Sequence, residues 1–483
     1  VSRACIAVLK FDKRIITMSK SIPGPKAKAI LRRGVSLFQN GLIYEDKLEQ
    51  AARRGFRPAG QVMVDKALGD YIWDVDGNKY IDFQNGWATN PIGNAHPEII
   101  EAVHQAQKRY GFHYDHPLRY ELAEKITQIT PNRALSRFTY EVSGTEAAES
   151  AFYMAMCYKK RRHVITFSSS FHGNNMATKV FGGLNTRKYL EGWNGGAIIA
   201  PYPHSDFIPA GMTEEQYTEY CLHYLEHHIP NYVAERDNIA AIMVEPGLAE
   251  GGNWIPTKKF LKGIRGICDR NDWLMIADEV LTGLGRTAKM WAVEHYDVEP
   301  DILVIGKNLS GGIEACAGVA ARDEILGNNP DFTANSTFAG TPAGCAAGIK
   351  TLEIFERDNI IDHAADLAKM AEGMMKNWEE KYEIVRQVRL SGLLLGVSFQ
   401  PPTDKKEDKS MWYARAVRNE MLHMGVWAIS DREENIRMYP ALNMSKETLK
   451  EGLTIMENAI SKIDRDGQDV GDSPAWPTGD AGF

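Results

Sequence analysis

The chain of 483 residues has no apolar run long enough to span a bilayer, no internal repeat and no long low-complexity segment. It also lacks an excess of positive charge: 56 Lys and Arg stand against 63 Asp and Glu, a net charge of −7. With no basic patch, nucleic acid is not an expected partner. With no apolar span, neither is a membrane. Cysteine is scarce. Cys5, Cys157, Cys221, Cys268, Cys316 and Cys345 contain no close C-x-x-C pair. That argues against a disulfide framework and a thiolate zinc site, and it fits a reducing cytoplasm. His223 and His227 are spaced for one helix face and are followed by His228, but no suitable third ligand accompanies them. An exposed helix face is the simpler reading, and no metal is expected.

What is present is ordinary in bulk, 44% hydrophobic and 25% charged, as in soluble globular proteins. The length suits a large domain plus a smaller one. From about residue 96 to 343, strand and helix patterns alternate, which predicts an α/β fold with a mainly parallel sheet. Before that, Tyr71-Ile72-Trp73-Asp74-Val75-Asp76-Gly77-Asn78-Lys79-Tyr80-Ile81 reads as a hairpin. A helical stretch over 215–235 precedes a strand at 240–244. After about residue 343 helices dominate, with a strand at 393–398.

Two apolar runs carry the chemistry. Trp273-Leu274-Met275-Ile276-Ala277 ends in Asp278, and Asp301-Ile302-Leu303-Val304-Ile305-Gly306 ends in Lys307. Both read as buried parallel strands, and ligands of α/β sheets sit at the carboxyl ends of such strands. A lysine there can form an imine; an aspartate can keep a heteroaromatic nitrogen protonated. Together they suggest pyridoxal phosphate, whose ring is an electron sink. Taken singly, a lysine after a strand is commonly solvated and an aspartate there is commonly a helix cap.

Two further segments complete such a site. The strand-like Phe138-Thr139-Tyr140-Glu141-Val142 runs into Ser143-Gly144-Thr145-Glu146 and then a helical stretch. Ser143 and Glu146 have capping-box spacing, Gly144 allows close backbone approach, and the free N–H groups and dipole of a helix start attract an anion. An ordinary capped helix reads the same way. The strand Val164-Ile165-Thr166-Phe167 leads to Ser168-Ser169-Ser170-Phe171-His172-Gly173. Phe171 is placed to stack on a cofactor ring, with Val280 on the opposite face and His172 nearby. A loop aromatic packed on the core is the alternative.

On these motifs the chain resembles the class III, fold-type I pyridoxal-phosphate-dependent aminotransferases. It is similar to the 4-aminobutyrate, ornithine and ω-amino-acid aminotransferases and to related racemases and aminomutases. The resemblance runs from about Gly24 to Ile463 through Ser143-Gly144-Thr145-Glu146-Ala147, Phe171-His172-Gly173, Glu245-Pro246 with Glu250-Gly251-Gly252, Asp278-Glu279-Val280, Gly283-Leu284-Gly285-Arg286-Thr287, Gly306-Lys307 and Ser336-Thr337-Phe338. It implies a large domain with a seven-stranded sheet (96–343) and a small α+β domain built from both chain ends (24–95 and 344–463). A 1–23 extension and a 464–483 tail flank them.

The same resemblance implies residue roles. Lys307 forms the internal aldimine and shuttles the proton. Asp278 pairs with the pyridinium nitrogen. Ser143, Gly144 and Thr145 belong to the phosphate cup; Phe171, His172, Glu245 and Val280 surround the ring. Thr337 reaches the phosphate of a neighbouring subunit's cofactor, so a homodimer or a dimer of dimers with shared active sites is expected. Glu250 pairs with Arg437, in Ile436-Arg437-Met438-Tyr439-Pro440. That pair is expected to open when an α-carboxylate binds; a purely structural ion pair is the alternative. Arg432 is a second arginine near the expected entrance. Trp87 and Tyr114 are candidate walls of the substrate pocket.

The chain also departs from the family pattern. Leu281 stands where many relatives place a glutamine that bonds the cofactor hydroxyl, and Gly311-Gly312-Ile313-Glu314-Ala315-Cys316 replaces an expected proline-containing turn. Leu281 resembles the ω-amino-acid:pyruvate and aminomutase branches, whereas Glu250 points to a different subgroup. Gly283-Leu284-Gly285-Arg286-Thr287-Ala288 mimics a dinucleotide fingerprint, but Asp278 and Glu279 before it would repel a pyrophosphate. The expected activity is ping-pong transfer of an amino group between an amine or amino acid and an α-keto acid such as 2-oxoglutarate or pyruvate. A racemase or epimerase, or an aminomutase, is the alternative on the same residues. A non-enzymatic scaffold does not explain the retention of Lys307, Asp278 and Thr337.

At the N-terminus, Arg3, Lys10, Lys13, Arg14 and Lys20 surround one short apolar patch, too short for a secretory core. Cytoplasmic location is therefore the expectation. A transit peptide is open, but an over-extended start before Met18 is simpler.

Overall fold

The computed structural model describes residues 22–34, 62–111, 115–183, 196–333, 336–400, 412–430 and 435–466. Its centre is a seven-stranded sheet made from β4 (Arg137–Glu141), β5 (His163–Phe167), β6 (Ala197–Ala200), β7 (Ile239–Val244), β8 (Leu274–Asp278), β9 (Ile302–Ile305) and β10 (Ala317–Ala321). The order is β4-β10-β9-β8-β7-β5-β6. Neighbours from β9 through β6 are parallel, while β10 runs antiparallel to both β9 and β4. The expected mainly parallel sheet is therefore present. Its inner strands β7, β8 and β9 are buried at every residue, so they read as continuous apolar runs rather than alternating ones.

Two smaller sheets lie outside it. One has the order β1-β2-β3-β13, from β1 (Val64–Leu68), β2 (Tyr71–Asp74), β3 (Lys79–Asp82) and β13 (Val426–Trp427). The expected hairpin is β2 against β3. Its turn is organised by Asp74, which accepts from the Asp76 and Asn78 backbone N–H groups and from the Tyr80 hydroxyl. β13 pairs in parallel with β3, with Val426 opposite Ile81, joining segments remote in sequence. The other sheet runs β11-β12-β15-β14, from β11 (Val385–Ser391), β12 (Leu394–Phe399), β14 (Ile429–Ser430) and β15 (Asn435–Met438).

The segment ends differ slightly from expectation. Ile22 is buried with Val62, Ile72, Tyr80 and Leu422, so the last residues assigned to the extension take part in packing. The final helix, Lys446–Asp466, continues into the stretch assigned to the tail, where Asp464 accepts from the Ile384 N–H at 3.0 Å.

Candidate active site

Five strand-to-loop junctions, after β4, β5, β7, β8 and β9, meet at one end of the large sheet. After β4, the helix Gly144–Lys159 is capped as expected: the Ser143 hydroxyl accepts from the Glu146 N–H. The Glu146 carboxylate returns to the N–H of Val142 rather than to that of Ser143. Gly144 is required where it stands, because a Cβ there would meet Val280 Cγ1 at 2.6 Å. A Cβ on Gly306 would lie 3.4 Å from both Gly144 Cα and Val280 Cγ1. The helix N-terminus, Val280 and the residue before Lys307 thus converge.

After β5, Thr145 meets the loop that carries Phe171 and His172: the Asn174 N–H lies 3.4 Å from Thr145 Oγ1, and Gly173 presses on the threonine side chain. His172 Nδ1 is 2.7 Å from Asp278 Oδ2. The other carboxylate oxygen, Oδ1, accepts from the Val280 N–H at 3.1 Å. Both side chains are buried. Burial opposes a charged imidazole, but the hydrogen bond and charge of Asp278, with Glu245 behind it, raise the His172 pKa above its usual value. His172 therefore donates from Nδ1 and orients the aspartate. The sequence had placed it only nearby.

Glu245, at the end of β7, spans two loops. It accepts from the Phe171 N–H at 2.8 Å and from the Ala249 N–H at 3.1 Å. Burial pushes its pKa up to about 7, His172 acting against that shift. Tyr202 and Tyr296 donate to the carbonyls of Glu245 and Pro246. The visible work of Glu245 is to fix the Phe171 loop and the approach to Glu250.

Lys307 follows β9 at a φ of +41°, in the left-handed region that non-glycine residues enter only when held there. Burial lowers its pKa below the ordinary lysine value, against the opposing pull of Glu250, Asp278 and Glu245. The unusual Gly311-Gly312 pair completes this turn: at Gly312, φ +73°, a Cβ would fall 1.5 Å from Asn90 Oδ1. The glycines let the turn after the lysine pack against the 85–90 loop.

The expected substrate residue Arg437 lies on β15. Arg437 Nη2 donates to Glu250 Oε2 at 2.9 Å, and Nη1 donates to the Ala249 carbonyl at 3.0 Å and to the Tyr439 hydroxyl at 3.1 Å. The expected pair is closed. Leu281 lies with Ala88, Ala249, Leu394 and Tyr439 in an apolar cluster, an environment that suits leucine rather than an amide. Trp87, at φ +56°, is 41% exposed on the loop after β3. Thr337 and Phe338 are exposed on the segment preceding the helix Pro342–Arg357. Tyr114 and Arg432 lie outside the described residues.

These residues fit pyridoxal phosphate on structural grounds. An oriented buried carboxylate can hold a ring N–H, a lysine of lowered pKa can form an imine, and a glycine-narrowed helix start can hold a phosphate dianion. A lysine and an aspartate at the ends of adjacent parallel strands, beside that helix start, define a pyridoxal-phosphate-dependent enzyme. The family model for "Aminotransferase class-III" matches residues 54–460, and the chain belongs to that family. An acetylornithine aminotransferase of Caldanaerobacter subterraneus is 32% identical, over 83% of this chain and 95% of that protein. A leucine/methionine racemase of Thermococcus litoralis is 29% identical, over 87% and 95%. The crystal structure of a transaminase from the marine bacterium Virgibacillus superposes with a TM-score of 0.76 at 25% identity, covering 86% of this chain and 99% of that one.

Proposed function

We propose that this pyridoxal-phosphate-dependent aminotransferase takes amino groups from ω-amino or α-amino donors and passes them to an α-keto acid, 2-oxoglutarate or pyruvate, with Glu250 and Arg437 sorting the two kinds of substrate. The observation that carries this reading is the closed Glu250–Arg437 pair, whose members both act electrostatically on Lys307. When bound, the cofactor supplies an aldehyde for imine exchange and a ring that takes up electrons as the substrate C–H bond breaks. Asp278, held by His172 and the Val280 N–H, keeps the proton on the ring nitrogen. The Gly144 and Thr145 junction anchors the phosphate. Lys307 Nζ moves a proton as base and then as acid, and its burial favours the neutral amine that the base step needs. Glu245 keeps the Phe171 loop in place.

We infer that active sites are completed across a homodimer, or a dimer of such dimers, by Thr337. The exposure of Thr337 and Phe338 supports this. Cytoplasmic location is our reading of the cysteine pattern, and no helix among the described residues is long and apolar enough to cross a membrane. Racemisation is a second reading, favoured by the similarity to the Thermococcus litoralis protein. It uses the same lysine and returns the proton to the opposite face of the substrate carbon.

The test is the visible spectrum of the cofactor-loaded protein before and after L-glutamate, without keto acid. Conversion to the amine form of the cofactor is expected. An unchanged band excludes glutamate as donor and transfers the assignment to alanine–pyruvate chemistry or racemisation. Inversion of an amino acid without any keto product would select the racemase.

A further inference from the structure

Three of the acceptors that hold Arg437 differ in their access to solvent. Its side chain is 3% exposed, while that of Glu250 is 30% exposed. The other two acceptors, the Ala249 carbonyl and the Tyr439 hydroxyl, belong to residues that are 3% and 1% exposed. If the guanidinium swings away, water can replace it at Glu250 but has little access to the other two. Leaving a buried acceptor without its donor carries the full desolvation cost of that group.

The tyrosine is itself immobilised. Its hydroxyl donates to Asn253 Oδ1 at 3.0 Å, and Asn253 Nδ2 donates to the Leu395 carbonyl at 2.8 Å. The neighbouring Gly252 carbonyl accepts from Arg389 Nη2 at 2.7 Å, and the Arg389 guanidinium stacks 3.8 Å from the Trp254 ring. The Tyr439 ring packs with Ala88, Ala249, Leu281 and Leu394. The loop bearing Glu250 and the strand bearing Arg437 are therefore clasped together, with the Tyr439 oxygen between Arg437 and Asn253.

We propose that Tyr439 is a specificity-determining positioning residue, whose hydroxyl latches Arg437 in the closed state and so disfavours substrates that present an α-carboxylate. This rests on the reading of Glu250 and Arg437 given above. Tyr439 acts only through Arg437 and takes no part in proton transfer. In this chain the gate is set by a buried phenol as well as by the half-buried carboxylate.

The test compares the wild-type holoenzyme with Tyr439→Phe and Tyr439→Met. Both variants lack the hydroxyl, and Met also lacks the ring, so a result confined to one of them would overturn a role for the hydroxyl. Glutarate, an unreactive dicarboxylate, is titrated by calorimetry and is expected to bind both variants about tenfold more tightly, as one lost charge-assisted hydrogen bond in the closed state implies. The kcat/KM ratio of L-glutamate to 4-aminobutyrate should rise by a similar factor. Unchanged or weaker glutarate binding overturns the latch, since a merely structural loss does not tighten a ligand. If neither donor converts the wild-type cofactor, the donor assignment fails, while the glutarate titration still decides the latch.

Discussion

The two ends of this active site bury charge in opposite ways. At the cofactor end the buried groups are the carboxylates Asp278 and Glu245, answered by one imidazole and by backbone N–H groups of Val280, Phe171 and Ala249. At the Arg437 end the buried group is a guanidinium, answered by a carbonyl, a phenol and a carboxylate. The cofactor end is thus answered mainly by main-chain donors and one buried imidazole. These donors are backbone groups of the loops that follow β5, β7 and β8, each fixed by its own chain. The partners of Arg437 include side chains. At the Arg437 end, one partner, the Glu250 carboxylate, is 30% exposed and open to solvent.

Lys307→Ala breaks the cofactor end outright. Turnover should fall by at least about 10³-fold for every donor and acceptor alike, with part of the cofactor retained, as steady-state rates and bound-cofactor absorbance would show. Near-normal turnover would end the assignment of the lysine.

The second test sharpens the contrast between buried carboxylates at the cofactor end and solvent. Glu279, beside Asp278 but held by Thr282 and the Val293 N–H, is pushed by burial from 4.5 up to about 7. The folded protein keeps this proton while the unfolded chain releases it, so stability is greatest below about pH 4.5 for this group and is lost as pH rises towards 7. Glu279→Gln should remove up to about 3 kcal/mol of that fall, seen as a flatter dependence of apo-protein Tm on pH. Glu245 adds a slope of the same sign, so some decline should persist.

The smallest effect is expected at the Arg437 end. Glu250→Ala should alter the discrimination between α-keto acids and substrates without an α-carboxylate by several-fold, with little change in the cofactor spectrum. Unchanged discrimination in kcat/KM would leave the pair as a structural contact.

Asp278, Lys307 and the Ser143-Gly144 cap were legible because each is a local event: an apolar strand, its last residue and the turn that follows. The Glu250–Arg437 pair was legible only through family resemblance. Its members are 187 residues apart, and nothing local to either predicts the other. Glu245 was placed among the cofactor contacts, but its carboxylate serves the loop backbones, which no side-chain motif encodes. Tyr439 stands two residues beyond Arg437, the spacing that puts side chains on one face of an extended chain, but no motif marks its hydroxyl as a partner.

By itself the sequence determined the sheet, the cofactor and the place of Lys307 at a strand end, because burial on both faces of a parallel strand leaves a distinct apolar run and its end is where a ligand meets the backbone. Only the tertiary structure decided that His172 orients Asp278, that Arg437 rests closed and that a phenol helps to hold it there. Those contacts join β5 to β8, and β15 to the loop after β7. Their strength lies in burial, which exists only once the separate segments have packed.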